Sequence, residues 1–468
     1  MRPFAVTCRL LLLLSLFAIT LADRAAAADR PPNFVIIFCD DLGYGDVGPF
    51  GSTTHRTPNL DRMAAEGIRF TDFYVTSGVC TPSRSSLMTA CYPRRVGLDR
   101  NETGGWVLFP GNHRGLNPDE ITIAEVLKQK DYATAIVGKW HLGDQPEFLP
   151  TRQGFDSYFG IPFSNDMGHG HNKRYPPLPL LENEKVFEEE PDQAQLTPRY
   201  TARAVEFITT HKDEPFFLYM PHTFPHNPIF ASERFAGKSA NGNFGDSVEE
   251  IDWSVGQILA TIKKLGIDEQ TLVIFTSDNG AASRWGGGNG PLRGFKGSTW
   301  EGGMREPCVM RWPGKIPAGK VCGELASSLD LMPTLAKLAG TSAPTDRVID
   351  GLDIWPLMSG QPGAKSPREA FFYYYTNQLQ AVRSGKWKLH LPRKPRGRAN
   401  QNDQWPQLYD LESDIGEQNN VAAAHPEVVE RLSALAEQCR EDLGDGDRQG
   451  KNCRKPGHVE NATTLTHN

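Results

Sequence analysis

The sequence carries no strong charge of one sign. Its 468 residues include 50 lysines and arginines against 56 aspartates and glutamates, which gives a formal net charge of −6. Nothing in this balance indicates a nucleic acid or an anionic membrane as a partner. No internal repeat is evident, and 39% of the residues are hydrophobic. This composition is typical of a globular protein and not of a disordered chain.

Long apolar runs are missing after residue 22, so no later segment is predicted to span a membrane. Two arginines precede an apolar run over residues 10–22, and alanines at 25–28 provide small residues for cleavage. The run is shorter than the roughly 20 residues of a spanning helix. Residues 1–28 are therefore predicted to be a signal peptide, the alternative being a membrane anchor. Export would lead to a periplasmic, secreted or lysosomal-type compartment, depending on the host.

Cysteine is scarce, with eight residues in the chain. In an exported protein two pairs are candidates for local disulfides, although sequence alone cannot fix the connectivity: Cys308–Cys322 and Cys439–Cys453. Cys39 lies within an apolar strand and is predicted to be a free, packed thiol. Asn101 and Asn461 begin glycosylation sequons, which matter only if the host glycosylates.

From residue 33 to about residue 340, short apolar runs alternate with amphipathic segments, as in a parallel α/β sheet. Thr57-Pro58 is predicted to begin one helix and Asn117-Pro118-Asp119 another. A further helix carries an apolar face from Val248 to Ile262. The buried strands are predicted at Asn33–Phe38, Thr134–Val137, Pro215–Met220 and Thr271–Thr276.

The pattern changes after about residue 366. Antiparallel strands are predicted at 371–376, 380–383, 386–391 and 408–411, with a tight turn at Ser384-Gly385 and a closing helix over 428–439. The chain is too long for one simple core. We therefore predict a large domain over residues 29–365 and a smaller α+β subdomain over residues 366–468.

Carboxylates and amides follow two of the predicted strands. Asp40 and Asp41 come directly after the first strand, and Asp278 and Asn279 follow the strand that ends near residue 276. Ligands bind beyond the carboxyl ends of strands in open α/β sheets, so these side chains are expected to meet. An all-oxygen set without histidine favours Ca²⁺ or Mg²⁺ over zinc. The alternative is that each pair only caps a turn.

Cationic side chains follow strands in the same way. Lys139 and His141 lie in Gly138-Lys139-Trp140-His141, His226 follows the strand that ends at Met220, and Lys296 lies in a glycine-rich loop. Each of these residues alone is more often a surface cation or a hydrogen-bonded loop histidine. Their repeated placement after strands indicates a site that binds an anion and protonates a leaving group.

The segment Cys80-Thr81-Pro82-Ser83-Arg84 resembles the signature of the type I, formylglycine-dependent sulfatases. The alternative is a buried cysteine ahead of a proline turn. The family's other motifs occur in the same order: Asp40-Asp41, Gly138-Lys139-Trp140-His141, Ser277-Asp278-Asn279-Gly280, and Lys296 with Glu301-Gly302-Gly303. The arylsulfatase A and N-acetylgalactosamine-6-sulfatase branch is resembled most closely, through residues 58–67, 288–291 and 303–307.

The resemblance implies an alkaline-phosphatase-like fold, with a mainly parallel mixed sheet flanked by helices. It also implies that a maturing enzyme oxidises Cys80 to formylglycine, whose hydrated form attacks the sulfur of a sulfate monoester. The implied ligands of Ca²⁺, or of Mg²⁺, are Asp40, Asp41, Asp278, Asn279 and the modified Cys80.

The same resemblance assigns roles to the cationic residues. Arg84 would steady the formylglycine, while Lys139, His141, Ser164, His226 and Lys296 would surround the sulfate. His226 and Lys296 would protonate or neutralise the departing oxygen, and His141 would remove a proton to release sulfate.

Two other functions stay open at this point. One is a phosphodiesterase or phosphonate monoester hydrolase of the same superfamily, and the other is a non-catalytic, calcium-dependent binder of sulfated glycans. The sequence does not identify the sulfated substrate. Loop residues that are candidates for lining the pocket, or else lie on the surface or pack, are His169, His171, Trp106, Arg284 and Trp285.

Overall fold

The computed structural model describes residues 30–392 and 405–466, so the predicted signal peptide lies outside the described residues. The described helices are α1 (Pro58–Ala65), α2 (Cys80–Thr89), α3 (Ile123–Lys128), α4 (Leu196–Thr210), α5 (Gly242–Lys264), α6 (Glu301–Met304), α7 (Leu331–Leu338), α8 (Trp355–Met358) and α9 (Pro426–Asp442). None of these helices has the length and hydropathy of a membrane span.

The first twelve strands belong to one large sheet, apart from the short β3. They are β1 (Asn33–Cys39), β2 (Ile68–Tyr74), β3 (Arg114–Gly115), β4 (Ala133–Val137), β5 (Ser157–Gly160), β6 (Pro179–Glu182), β7 (Lys185–Glu189), β8 (Phe216–Pro221), β9 (Thr271–Ser277), β10 (Arg305–Arg311), β11 (Lys320–Cys322) and β12 (Ala326–Ser327). The later strands are β13 (Phe371–Tyr375), β14 (Gln378–Ser384), β15 (Trp387–His390), β16 (Gln407–Asp410), β17 (Gly444–Asp445), β18 (Arg448–Gln449) and β19 (Gly457–His458).

The large sheet has the order β11-β2-β10-β9-β1-β8-β4-β5-β6-β7, and β12 pairs with β2. Its centre, β9-β1-β8-β4-β5, is parallel, whereas β10 pairs antiparallel with both β9 and β2. β1 is buried along its whole length, because apolar side chains cover the sheet on both faces. The predicted mixed, mainly parallel α/β fold is confirmed.

The smaller sheet is antiparallel, with the order β13-β14-β15-β16. α9 packs on β14 and β15, and the apolar core between them includes Tyr374, Leu389, Leu432 and Ala436. The same core continues through Tyr74 and other residues of the larger sheet. The predicted change to antiparallel strands and a closing helix is therefore observed.

A group of fully or nearly buried charged side chains forms ion pairs and hydrogen bonds between the two sheets. We call it the interdomain cluster, and its members are Asp72, Glu301, Arg305, Arg383, Lys388 and Glu417. The ammonium of Lys388, on β15, lies 2.9 Å from a carboxylate oxygen of Glu301 and 2.9 Å from one of Glu417. Arg383, on β14, donates to Asp72 of the larger sheet at 2.7 Å.

The helix predicted to open at Asn117-Pro118-Asp119 begins later, at Ile123. Thr122 caps it, because its hydroxyl accepts from the Glu125 amide at 3.2 Å while the Glu125 carboxylate accepts from the Thr122 amide at 2.8 Å. Asn117 instead accepts from the amide of Asp119 at 3.0 Å and closes a turn. The prediction of a helix start at Asn117 was wrong because Asn-Pro is equally favourable in a turn.

Both predicted disulfides are wrong, whereas Cys39 is free and buried as predicted. Cys308 on β10 and Cys322 on β11 both register with Phe70, from opposite sides of β2. Two strand spacings, about 9.6 Å, separate them, which exceeds the reach of a disulfide. In the second pair the thiols have other partners: Cys439 lies 3.3 Å from the Tyr374 hydroxyl, and Cys453 lies 3.2 Å from the Leu443 carbonyl.

Candidate active site

The central parallel strands end at one edge of the sheet, and a site residue follows each of them. Because parallel strands present their carboxyl ends together, these segments converge. The predicted residues are Asp40 and Asp41 after β1, Lys139 and His141 after β4, Ser164 after β5, His226 after β8, and Asp278 and Asn279 after β9. Cys80 joins them as the first residue of α2, and Lys296 comes from the loop between β9 and α6.

The predicted metal ligands lie close together at this edge. Ligand atoms of three of them, Asp40, Asp41 and Cys80, lie within 4.8 Å of one another and of a ring nitrogen of His226, which was not predicted as a ligand. The Asn279 amide nitrogen donates to Asp41 at 2.8 Å, and the Asp41 backbone amide donates to Asp278 at 3.2 Å. The Asn279 side-chain oxygen is buried and has no hydrogen-bond partner among the described residues. A buried acceptor without a donor fits a position for a cation.

Three cations face these carboxylates: Lys139 and Arg84, which are buried, and Lys296, which is partly exposed. Lys139 pairs with Asp40 and donates to the Ser164 hydroxyl at 3.2 Å. The Lys296 ammonium lies 2.6 Å from Asp41 and 3.6 Å from the sulfur of Cys80. These contacts place Ser164, the least distinctive residue in the sequence, in the same site.

Arg84 completes the set of cations. Its guanidinium donates to Asp278 at 2.8 Å and to the backbone carbonyl of Lys139 at 2.9 Å. The hydrogen bonds found for Arg84 therefore run to a predicted metal ligand and to the Lys139 loop. We call Asp40, Asp41, Asp278, Arg84, Lys139 and Lys296 the active-site cluster.

Burial and charge set the protonation of the central groups. Burial, reinforced by Asp40, raises the pKa of the Cys80 thiol well above its ordinary value. Burial also opposes ionisation of Asp40, but Lys139 and His226 outweigh it and hold the pKa of that carboxyl well below its usual range. The pKa of Asp278 is raised to about 7, because burial and the neighbouring Asp40 exceed the effect of Arg84.

The ring nitrogens of His141 have distinct surroundings. Nε2 lies 3.0 Å from the carbonyl of Leu108, an acceptor, so Nε2 carries the proton and donates. Nδ1 is buried without a partner among the described residues. Burial and the neighbouring Lys139 lower the pKa of His141 well below its ordinary value. His141 is therefore a neutral imidazole whose Nδ1 lone pair is available to accept a proton.

His226 is oriented by Asn165, which the sequence did not single out. The Asn165 amide nitrogen donates to Gln193 and to the Pro228 carbonyl, both at 2.9 Å, so its oxygen faces His226 Nδ1 at 3.1 Å. His226 Nδ1 is thus the donor, and Nε2 turns toward Asp41 at 3.8 Å. Position 165 directly follows Ser164 in the segment after β5, and this adjacency was the only signal in the sequence.

The site opens to solvent at one end. The side chains of Asp40, Lys139 and Arg84 are at most 1% exposed, whereas Lys296 is 20% and His226 11% exposed. Anything attached to a sulfate in the site must therefore leave it past Lys296 and His226. This position suits the role predicted for these two residues at the departing oxygen.

The loop residues proposed to line the pocket differ in their surroundings. Trp106 and Trp285 are nearly half exposed, and Arg284 and His171 are also exposed. His169 is half-buried, and its Nδ1 donates to the Tyr175 carbonyl at 3.2 Å. Asn101 is unsuited to glycosylation in this structure, since its amide nitrogen is buried and donates to the Val107 carbonyl at 2.8 Å.

The sequence that forms this site matches known protein families. A family model described as Sulfatase matches residues 32–341, and one described as the C-terminal region of aryl-sulfatase matches residues 366–464. The chain belongs to the sulfatase family. Its relatives are sulfuric ester hydrolases, and the chain is an enzyme of this class that hydrolyses sulfate esters.

This sulfatase is 44% identical to arylsulfatase A of Homo sapiens over 453 residues, which cover 87% of this chain and 88% of the relative. It is also 44% identical to N-acetylgalactosamine-6-sulfatase of Mus musculus over 400 residues, which cover 82% and 75% of the two chains. Among solved structures, Ps i-CgsB in complex with k-i-k-neocarrahexaose matches with a TM-score of 0.76 and 32% identity, covering 87% of this chain and 92% of that one.

Proposed function

We propose that this sulfatase cleaves sulfate monoesters with a nucleophile that a maturing enzyme forms from Cys80. The observation that carries the proposal is the position of Cys80. Its sulfur lies 3.4 Å from Asp40 and 3.6 Å from the Lys296 ammonium, where the strand ends converge. In the chemistry implied by the family, a hydrated formylglycine supplies one hydroxyl to attack sulfur and a second through which the aldehyde re-forms.

The residues around Cys80 fit a Ca²⁺ or Mg²⁺ ion. The proposed ligands are the oxygens of Asp40, Asp41, Asp278 and Asn279 together with the modified Cys80, and an all-oxygen set is what these ions prefer. The partnerless oxygen of Asn279 supports the fit. The ion would supply positive charge opposite the sulfate oxygens.

The chain's own residues then divide the work. We assign Lys139 and Ser164 to holding the sulfate, because they meet at 3.2 Å on the inner side of the site. Lys296 and His226, at the open end, would neutralise or protonate the departing oxygen, while Arg84 would steady the nucleophile through Asp278. His141 would take a proton at its partnerless Nδ1 when sulfate is released.

The proposal extends to substrate and location. The relatives named above are called after aryl sulfates and N-acetylgalactosamine 6-sulfate, and one solved neighbour is in complex with k-i-k-neocarrahexaose. We propose an aryl sulfate or a sulfated carbohydrate as the substrate class. We also propose export through the segment at residues 1–28, maturation by a formylglycine-generating enzyme, and a domain division at residues 365/366.

Release of inorganic sulfate from aryl sulfates and defined sulfated sugars tests the function directly. Intact-mass measurement tests the modification, because formylglycine replaces one sulfur and two hydrogens of cysteine with one oxygen. Faster hydrolysis of an aryl phosphonate than of the matching aryl sulfate would favour the phosphonate hydrolase instead. An unmodified Cys80 in material that binds sulfated sugars with calcium but releases no sulfate would favour the non-catalytic binder.

A further inference from the structure

The loop over residues 101–109 is anchored to the catalytic machinery at one end. The Leu108 backbone amide donates to the hydroxyl of Thr81, the residue after Cys80, at 3.2 Å. The Leu108 carbonyl accepts from His141 at 3.0 Å. The position of this loop is therefore coupled to both the nucleophile segment and the proposed base.

Asn101 holds the loop together at its other end. Its side-chain oxygen accepts from the backbone amides of Thr103 at 3.0 Å and Gly105 at 2.7 Å, and its nitrogen donates to Val107. With both ends fixed, residue 106 is presented from a constrained turn. Its side chain, Trp106, is nevertheless 44% exposed. The exposed part of the indole is apolar surface that a bound ligand could cover.

The indole of Trp106 lies against the backbone next to Lys296. A Cβ added at Gly297 would come within 2.9 Å of the indole, so the absence of a side chain at Gly297 permits this close approach. Tyr375, on β13, packs edge-on against the indole with ring centroids 5.6 Å apart. Trp106 is therefore seated between the Lys296 loop and the smaller sheet.

This seat is at the open end of the site. Lys296 is the most exposed of the cations around Cys80, and neighbouring Cα atoms are about 3.8 Å apart. Trp106 touches the residue directly after Lys296. A group joined to the sulfate through a single oxygen would leave past Lys296, on the side where the indole lies.

We propose that Trp106 is a specificity-determining residue that stacks on the ring bearing the sulfate ester. This inference rests on the proposed function and names the part of the substrate that the open end selects. The chemistry it requires is a ring with an apolar face, either a pyranose, through its C–H face, or an aryl group. An acyclic group would leave most of the indole uncovered, as would inorganic sulfate, which stays on the inner side.

Equilibrium binding tests the proposal without depending on turnover. In the full chain carrying Cys80→Ala, calorimetry with Ca²⁺ present would measure the Kd of N-acetylgalactosamine 6-sulfate, 4-nitrophenyl sulfate and inorganic sulfate. Adding Trp106→Ala should weaken binding of at least one ring ligand about tenfold, which corresponds to about 1.4 kcal/mol. Loss on the sugar alone identifies a pyranose, and loss on the aryl sulfate alone identifies an aryl group. Inorganic sulfate should be unaffected.

Two further variants serve as controls. Trp106→Phe keeps an aromatic face and should restore most of the affinity. Phe187→Ala removes an aromatic residue of similar exposure, 48%, from β7 at the far edge of the sheet, and should change no Kd. Unchanged ring-ligand affinity on adding Trp106→Ala overturns the proposal, as does an equal loss on inorganic sulfate. Failure of the Cys80→Ala chain with Trp106 intact to bind either ring ligand also overturns it. Sulfate release by the wild type decides the proposed function separately.

Discussion

The active-site cluster and the interdomain cluster have the same charge composition but differ in how evenly their carboxylates are stabilised. Each has three carboxylates and three cations, and all of them are buried except Lys296, whose side chain is 20% exposed. In the interdomain cluster, Lys388 and Arg305 outweigh burial and hold the pKa of Glu301 below its ordinary value. In the active-site cluster the pKa of Asp40 is likewise held below its usual range, but the pKa of Asp278 is raised to about 7.

The difference lies in how completely the carboxylates are satisfied. Both oxygens of Glu301 accept hydrogen bonds from side chains, including Lys388 at 2.9 Å and Arg305 at 3.2 Å. Around the active-site cluster, Asn279 and His141 keep buried atoms without partners among the described residues. A saturated network stabilises a fold, whereas one with open positions has room for an ion and a substrate.

Replacing the nucleophile precursor should give the largest effect, because it should abolish activity at the active-site cluster without changing stability. We expect Cys80→Ala to lower sulfate release by roughly 10⁶-fold, as for loss of a nucleophile that acts together with its neighbours. Thermal stability should stay close to wild type, because neither cluster loses a charge. Substantial residual turnover of 4-nitrophenyl sulfate by a fully purified variant would show that catalysis does not depend on a formylglycine formed from Cys80.

Removing the divalent ion should affect only the cluster with open positions. Chelation is expected to abolish sulfate release, and Ca²⁺ or Mg²⁺ should restore it. At an ion concentration one hundred times Kd, the bound ion adds about 2.7 kcal/mol to stability, so the melting temperature should fall on chelation. Asp278→Asn should weaken the response to added ion. Full activity in exhaustively chelated protein would contradict the assignment.

Breaking the saturated cluster should cost stability and spare catalysis. Lys388→Met leaves Glu301 and Glu417 without their shared, fully buried cation, and we expect a loss of about 3–5 kcal/mol in unfolding free energy. Lys386→Met is the matched control, since the Lys386–Asp410 pair is partly exposed. Denaturant midpoints would measure both variants. Equal midpoints for the two would show that the buried network contributes little.

The sequence predicted the fold well where apolar runs are long and unambiguous. β1 and β9 were predicted nearly to the residue, because strands buried on both faces read as continuous apolar segments. The start of α3 was missed by several residues, since two capping signals lie close together. The prediction of a Cys308–Cys322 disulfide was wrong because spacing along the chain does not reveal that the two residues flank the same strand.

The candidate site was predictable as a set of strand-end residues but not in its fine geometry. Asp40, Lys139 and Asp278 were predicted as site residues because each follows a strand, and the structure brings them together. Asn165 and the Leu108 carbonyl were missed, because an amide and a backbone group carry no charge pattern. The interdomain cluster was missed for another reason: its charges are far apart in sequence and resemble surface residues until the two sheets meet.

The smallest expected effect concerns the open end of the active site. If His226 and Lys296 assist the departing oxygen, His226→Gln should slow hydrolysis of a sulfated sugar, whose leaving group is an alcohol, about tenfold to hundredfold more than hydrolysis of a nitrophenyl sulfate, whose nitrophenolate leaves without a proton. Asn165→Ala is the companion variant. It removes the acceptor 3.1 Å from His226 Nδ1 and should produce a weaker version of the same preference. The measurement is kcat/KM on the two substrate types at one pH. Equal losses on both would mean that His226 only binds the sulfate, and that the exposure of this end serves substrate entry alone.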